Sequence, residues 1–302
     1  MIAPAAEQTS LHIVRIPLLI VTFLIGTILI GCQPEPTGEP PSDSYTFFVA
    51  GHAYGTPDAP IQGLFPPLLR MFSALNSDKS IELGMLPGDI TRNGSEAEWE
   101  LVDRQLDQLR MPVYKVMGNH DARNRSVWTE RYGPAFYSFT HRQDLFIVLD
   151  TNNPDWQVNP EQLMFLERVL SSEGQSAEKI FVFCHQLIWA SAGSEYAQVH
   201  INAEPQRPTS NNFRDEVLPL LQSTGKPTLL FAGDMGAWSD KANSMYATHD
   251  NVGLVGTGMG DTVDDELLIV TVPATGQAIL QLLNLQTGTL AEMLPHQAAV
   301  KF

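Results

Sequence analysis

Basic side chains are scarce in this chain. Its 302 residues hold 18 Lys and Arg against 34 Asp and Glu, a formal net charge of −16. A surface of that sign repels nucleic acid and anionic lipid headgroups, so no nucleic-acid partner is expected. It also leaves an anionic substrate short of partners, and a bound metal is the natural source of the missing positive charge. Cysteine is nearly absent, with only Cys32 and Cys184. Two cysteines so placed make no disulfide framework. Cys184 sits in the apolar run Ile180-Phe-Val-Phe-Cys184 and reads as a buried, inert thiol. No repeat is visible. Also missing are the His-x-His-x-Asp-His cluster of metallo-β-lactamase-like hydrolases, the His-Glu-x-x-His of zincins and a Gly-x-Ser-x-Gly elbow. Gly253, Gly256, Gly258 and Gly260 form a Gly-rich stretch, but no Lys-Ser or Lys-Thr follows it. It is no P-loop and reads as a turn between strands.

Long hydrophobic runs are missing too, save one. His12 and Arg15 precede an apolar stretch from Ile16 to Ile30. It is shorter than the roughly 20 residues a spanning helix needs and suits the apolar region of a secretory signal. It ends in Leu29-Ile30-Gly31-Cys32, which resembles the bacterial lipobox. That resemblance implies cleavage before Cys32 and acylation of its thiol, hence export and tethering on the periplasmic or cell-surface side. The alternative is an uncleaved anchor helix. Residues 32–44 are rich in Pro and Glu and read as an extended tether. The expected organisation is a signal peptide over 1–31, the tether over 32–44 and a catalytic-type domain over 45–302.

From there on, short apolar strands alternate with amphipathic helices. Strands are expected at 45–50, 81–86, 113–117, 136–139, 145–149, 180–183 and 228–231, and helices near 64–75, 96–110, 127–132, 161–170 and 213–222. Ser95 and Glu98 have the spacing of a capping box ahead of Trp99, Val102, Leu106 and Leu109, which recur on one helical face. The alternation argues for an α/β architecture. Past about Met245 the chain reads as strands alone, with a hairpin over 267–272 and 278–283.

Polar residues gather where the apolar strands end. Gly88-Asp89 follows Ile81–Leu86, and Gly118-Asn119-His120-Asp121 follows Val113–Met117. His185 follows Ile180–Cys184, Gly51-His52-Ala53-Tyr54 follows Tyr45–Ala50, and Gly233-Asp234-Met235-Gly236 follows Leu229–Ala232. In this order the motifs resemble those of the calcineurin-like metallophosphoesterases. The resemblance implies a four-layer α/β/β/α sandwich of two mixed sheets, with two metal ions at the strand ends that clamp a phosphate and activate a water. It implies that Asp89 bridges the ions, that Asn119 and His185 ligate one of them, and that His120 stands by the leaving-group oxygen as general acid or positive hydrogen-bond donor. Asp121 would orient that imidazole.

Two motifs depart from the family. Its opening Asp-x-His is here His52-Ala53-Tyr54, and its Gly-His-x-His is here Gly233-Asp234-Met235-Gly236. One ion would therefore draw on Asp89, Asn119, His185 and Asp234, a mixed oxygen and nitrogen set suited to manganese, zinc or iron. The other keeps Asp89 and His52, and Tyr54 either joins them as a ligand or fills the space as a hydrogen-bonding side chain. The activity implied is metal-dependent hydrolysis of a phosphorylated small molecule or phosphodiester. The alternative is a tethered binding or assembly protein that kept the scaffold and lost turnover. His200 and His249 are further candidates for substrate contacts.

Overall fold

Strand β1 (Tyr45–Val49) is buried along its whole length, as an unbroken run of aromatic and β-branched residues demands. In the computed structural model it lies between β2 (Ile81–Pro87), parallel to it, and β10 (Glu266–Val272), antiparallel to it. The structure describes residues 43–55, 63–237, 242–260 and 263–295. The signal segment, Cys32 and the tether up to residue 42 lie outside the described residues.

Helix α1 (Pro66–Ser77) precedes β2, and α2 (Glu96–Leu106) leads to β3 (Val113–Val116). The capping box of α2 forms as its sequence requires: Ser95 accepts from the Glu98 backbone, and Glu98 accepts from the Ser95 backbone. Then come α3 (Arg125–Tyr132), β4 (Tyr137–His141), β5 (Asp144–Val148), α4 (Pro160–Ser171), the single turn α5 (Glu173–Ser176) and β6 (Ile180–Cys184). Helix α6 (Leu218–Ser223) is entered through a π-helical turn at Phe213–Val217. The remaining strands are β7 (Thr228–Met235), β8 (Ser244–His249), β9 (Val252–Gly258), β11 (Ile279–Asn284) and β12 (Leu290–Glu292).

Among the described residues these strands make two mixed sheets of six, ordered β12-β11-β10-β1-β2-β3 and β4-β5-β6-β7-β9-β8. Phe47, Phe146, Phe181, Phe183 and Phe231 fill the space between the sheets. Each buried Phe contributes about 1.5–3 kcal/mol. The first sheet turns its other face to Leu68, Phe72, Trp99, Val102 and Trp128 of α1 to α3, and the second to Leu166, Val169 and Leu221 of α4 and α6. This is the α/β/β/α sandwich that the motif order implies.

The Gly-rich stretch is not a turn. Gly253, Gly256 and Gly258 lie in β9, which is buried throughout and paired parallel to β7, and Gly260 follows it. Its glycines permit close packing: a Cβ on Gly256 would stand 2.6 Å from the Met235 sulfur, and one on Gly258 would stand 1.8 Å from the Met235 carbonyl oxygen. The hairpin expected near the C-terminus is β10–β11. No helix among the described residues is long and apolar enough to cross a membrane.

Candidate metal centre

Strands β1, β2 and β3 are parallel in one sheet, and β5, β6 and β7 are parallel in the other. Their C-terminal ends converge, so the loops after them share one edge of the sandwich. The chain turns there within very little space. A Cβ on Gly118 would fall 2.0 Å from the Asp89 nitrogen, and one on Gly233 would fall 1.9 Å from the Pro87 carbonyl oxygen. His52 and Asp89 themselves take left-handed backbone angles, with φ of 48° and 50°. A non-glycine residue held there is strained, and such strain gathers at functional sites.

Three histidines reach this edge in the same way. The Nδ1 of His185 is 3.0 Å from the Pro87 carbonyl oxygen, that of His52 is 2.7 Å from the Met259 carbonyl and that of His120 is 2.7 Å from the Arg92 carbonyl. A carbonyl oxygen only accepts, so each Nδ1 carries hydrogen and each Nε2 faces inward. Around the Nε2 of His185 stand Asn119 Oδ1 at 2.9 Å, Asp89 Oδ1 at 3.3 Å and Asp234 Oδ1 at 3.8 Å. The Nε2 of His52 lies 3.8 Å from the other Asp89 oxygen, Oδ2. The two oxygens of one buried carboxylate thus address two different imidazoles.

Such a cluster needs a cation at its centre. Asp234 Oδ1 is buried and makes no hydrogen bond among the described residues, an arrangement that is costly without a positive charge beside it. Asp89, His185 and Asp234 each offer a ligand atom within 4.8 Å of the others. With Asn119 they fit a single ion of the manganese, zinc or iron type. Without metal, the proton on His185 supplies the charge. Burial alone would lower its pKa, but Asp89 and Asp234 outweigh burial and raise it to about 10. His52 goes the other way, since burial outweighs Asp89 and lowers it to about 4. Burial opposes the charge on Asp89, yet His185, His120 and His52 hold that carboxylate well below its ordinary range. Burial pushes Asp234 up to about 7 against the pull of His185.

Asp121 does not orient His120. Its carboxylate accepts from the backbone nitrogens of Ile90, Thr91 and Gly118 and from the Thr91 hydroxyl. It stitches the loop after β2 to the loop after β3, and burial, then Asp89, push it up to about 7. The two neighbours sit where a 3-10 turn begins, so the Asp121 carboxylate goes into the molecule while the imidazole meets the Arg92 carbonyl. Tyr54 is buried, with its hydroxyl 3.5 Å from His120 Nε2.

A family model for calcineurin-like phosphoesterases matches residues 52–236, more than half of the chain. The chain belongs to that family. No curated protein matches it. Among solved structures it is similar to the purple acid phosphatase PPD1 from yellow lupin (Lupinus luteus) seeds, at 15% identity and a TM-score of 0.60 over 84% of this chain and 54% of that one. It thus spans about half the length of the lupin protein, and the likeness is one of fold. Vps29 from Chaetomium thermophilum overlaps with a TM-score of 0.36 at 12% identity, over 82% of this chain and 93% of that one.

Gly236 stands where the motif resemblance implies a histidine. A Cβ there would stand 2.6 Å from the Gly258 carbonyl carbon, and φ is +83°. The Gly258 backbone leaves no room there for a side chain.

The site opens into a cleft of about 620 Å³ that sequence reasoning only half anticipated. Arg123, Arg125, Asn152, Gln186 and Asn202 line it beside the expected residues. Arg125 pairs with Asp150 at 2.6 Å, and Arg123 donates to the Arg92 carbonyl and to Asn93. Two arginines just after Gly118–Asp121, in so acidic a chain, were the available signal. His200 and His249 are not among the described lining residues. His249 instead meets the Tyr196 hydroxyl at 2.8 Å.

Proposed function

We propose that this protein hydrolyses a phosphate ester in the cleft beside Asp89. The observation that carries the reading is the ring of oxygens from Asn119, Asp89 and Asp234 around the inward nitrogen of His185. Those four residues would hold one ion, and Asp89 Oδ2 with His52 would hold or replace a second. An ion of the manganese, zinc or iron class would neutralise phosphate oxygens and lower the pKa of a water in its shell. The chain itself binds and orients. Arg123 offers the guanidinium that an anionic substrate needs, and His120 faces the cleft with one nitrogen, where it supports the leaving-group oxygen. The buried side chains of Tyr54, Trp156 and Ala237 form an apolar part of its wall.

The test is elemental analysis of the purified protein together with hydrolysis of 4-nitrophenyl phosphate and its diester. At least one stoichiometric ion with metal-dependent turnover supports the reading. His120→Ala should keep the metal and lose about 10²- to 10⁴-fold in turnover, whereas Asp89→Ala should lose the metal.

A second reading has its own support in Gly236 and Tyr54, which depart from the family where a second ion would sit. On that reading the protein binds a phosphorylated partner, or assembles with one, without turning it over. Bound metal with no hydrolysis of either ester would favour it.

The reading extends to the chain's placement. Cys32 would be acylated after removal of 1–31, and residues 32–44 would tether the phosphoesterase-like domain of 45–302 to the membrane on its exported side. The support is the apolar run ending in Leu29-Ile30-Gly31-Cys32. Cys32→Ser should move the protein out of the membrane fraction or block its processing, and unchanged fractionation would count against the anchor.

A further inference from the structure

We infer that Tyr54 is a positioning residue for His120 and ligates no ion. This rests on the phosphoesterase reading above and assigns a part to the residue standing where the family has a metal-binding histidine.

Tyr54 cannot adjust its position freely. Its backbone nitrogen donates to the Asp89 carbonyl at 3.0 Å, the next nitrogen, of Gly55, donates back to the His52 carbonyl, and Phe65 donates to the Ala53 carbonyl. The turn after β1 is thus pinned to the loop after β2. Held there, the Tyr54 ring lies between two imidazoles, 4.4 Å from that of His52 and 5.1 Å from that of His120 between centroids. Its hydroxyl ends 3.5 Å from the Nε2 of His120.

His120 needs such a partner. Its Nδ1 is committed to the Arg92 carbonyl at 2.7 Å, and its backbone nitrogen is committed to Asp89 Oδ1 at 3.0 Å. The Nε2 is therefore the atom left to face the cleft, and in the charged ring, the form able to donate to a leaving-group oxygen, it carries a hydrogen. The Tyr54 hydroxyl oxygen is an acceptor in reach of that hydrogen. The separation is at the outer limit for a hydrogen bond, as is common for catalytic contacts before substrate arrives. Both side chains are hung from Asp89, Tyr54 through its backbone and His120 through its carboxylate. A substrate that settles against Asp89 would bring the two rings into register together. The Arg92 carbonyl fixes which nitrogen of His120 faces the cleft, and the tyrosine holds the plane of the ring until a leaving-group oxygen takes over the Nε2 hydrogen.

The experiment compares Tyr54→Phe with the wild type in three ways. Elemental analysis after dialysis against manganese or zinc should give the same number of ions per chain, and loss of an ion would overturn the assignment. Turnover of phenyl phosphate, a poor leaving group, should fall at least about tenfold, with a clearly smaller loss on 4-nitrophenyl phosphate. Equal losses on both esters, or none, would also overturn it. Nitrogen-15 spectra of the histidine rings need no activity. The Nε2 resonance of His120 should shift in the variant, and an unmoved resonance sinks the inference even if the wild type proves inactive. Absence of turnover in the wild type is by contrast a failure of the phosphoesterase reading, which leaves the spectra to decide the contact.

Discussion

The Nε2 of His185 and the Oδ1 of Asn119 lie 2.9 Å apart, although the two residues leave different sheets. An amide oxygen only accepts, so in the metal-free protein this nitrogen bears the proton, in accord with a pKa raised to about 10. An ion bound there must displace that proton. Below the raised pKa, each unit of rising pH lowers the cost of doing so. Metal affinity should therefore increase about tenfold per pH unit between about pH 7 and pH 9, and more steeply below, where Asp234 also holds a proton. Calorimetry in buffers of different ionisation enthalpy should show at least one proton released per ion. Affinity that stays level with pH would mean that His185 is no ligand.

Asp121 should prove a structural residue. Asp121→Ala would strip the acceptor from three backbone donors and one hydroxyl, all buried. The expected loss is about 2–4 kcal/mol, read as a lower urea midpoint. Metal content should fall with stability, because the two loops it joins carry Asp89 and Asn119. A variant of native stability with impaired turnover would return Asp121 to the imidazole.

Restoring the family's last histidine should fail. Gly236→His places a Cβ against the Gly258 backbone and forces a side chain into a left-handed conformation. Destabilisation of at least about 1–2 kcal/mol is expected, with no gain of a second ion. A stable variant that binds more metal would show that the backbone there can open.

Stability should also respond weakly to pH far from the site. Glu82 of the first sheet meets Arg142 and His141 of the second. The Arg142 hydrogen bond, against burial and with help from His141, holds its pKa below the ordinary value. A depressed carboxylate contributes stability that is complete above its unfolded pKa near 4.5 and is lost as pH falls through the folded value. Glu82→Gln should thus cost under about 1 kcal/mol at pH 7, as the group is only half-buried and solvent screens the pair. The difference between variant and wild type should close in urea titrations as pH falls through the lowered folded value. A difference that persists there would point to packing instead.

Much of this was legible beforehand because the signals are local. Asp89, Asn119, His185 and Asp234 each follow an apolar strand by one or a few residues, so the motif and the element that carries it lie together in the sequence. The misreadings have the opposite character. Whether Gly253–Gly258 is a turn or a buried strand depends on Met235 and Met245, which need its missing side chains. Where the Asp121 carboxylate goes depends on Ile90 and Thr91, thirty residues away. Nor does any local pattern say that Arg123 and Gln186 share a cleft.

The amino-acid order alone therefore determined the alternation of strand and helix, the polar residues at the strand ends and the scarcity of basic side chains. Those follow from hydrophobic periodicity and composition, which each stretch of chain carries within itself. Only the tertiary structure decided that one carboxylate, Asp89, turns one oxygen to His185 and the other to His52, that Tyr54 points at His120 and that the Gly258 backbone leaves no room for a side chain at Gly236. Each of these is a contact between loops far apart in the chain, set by how the two sheets pack and by the room left where their strands end.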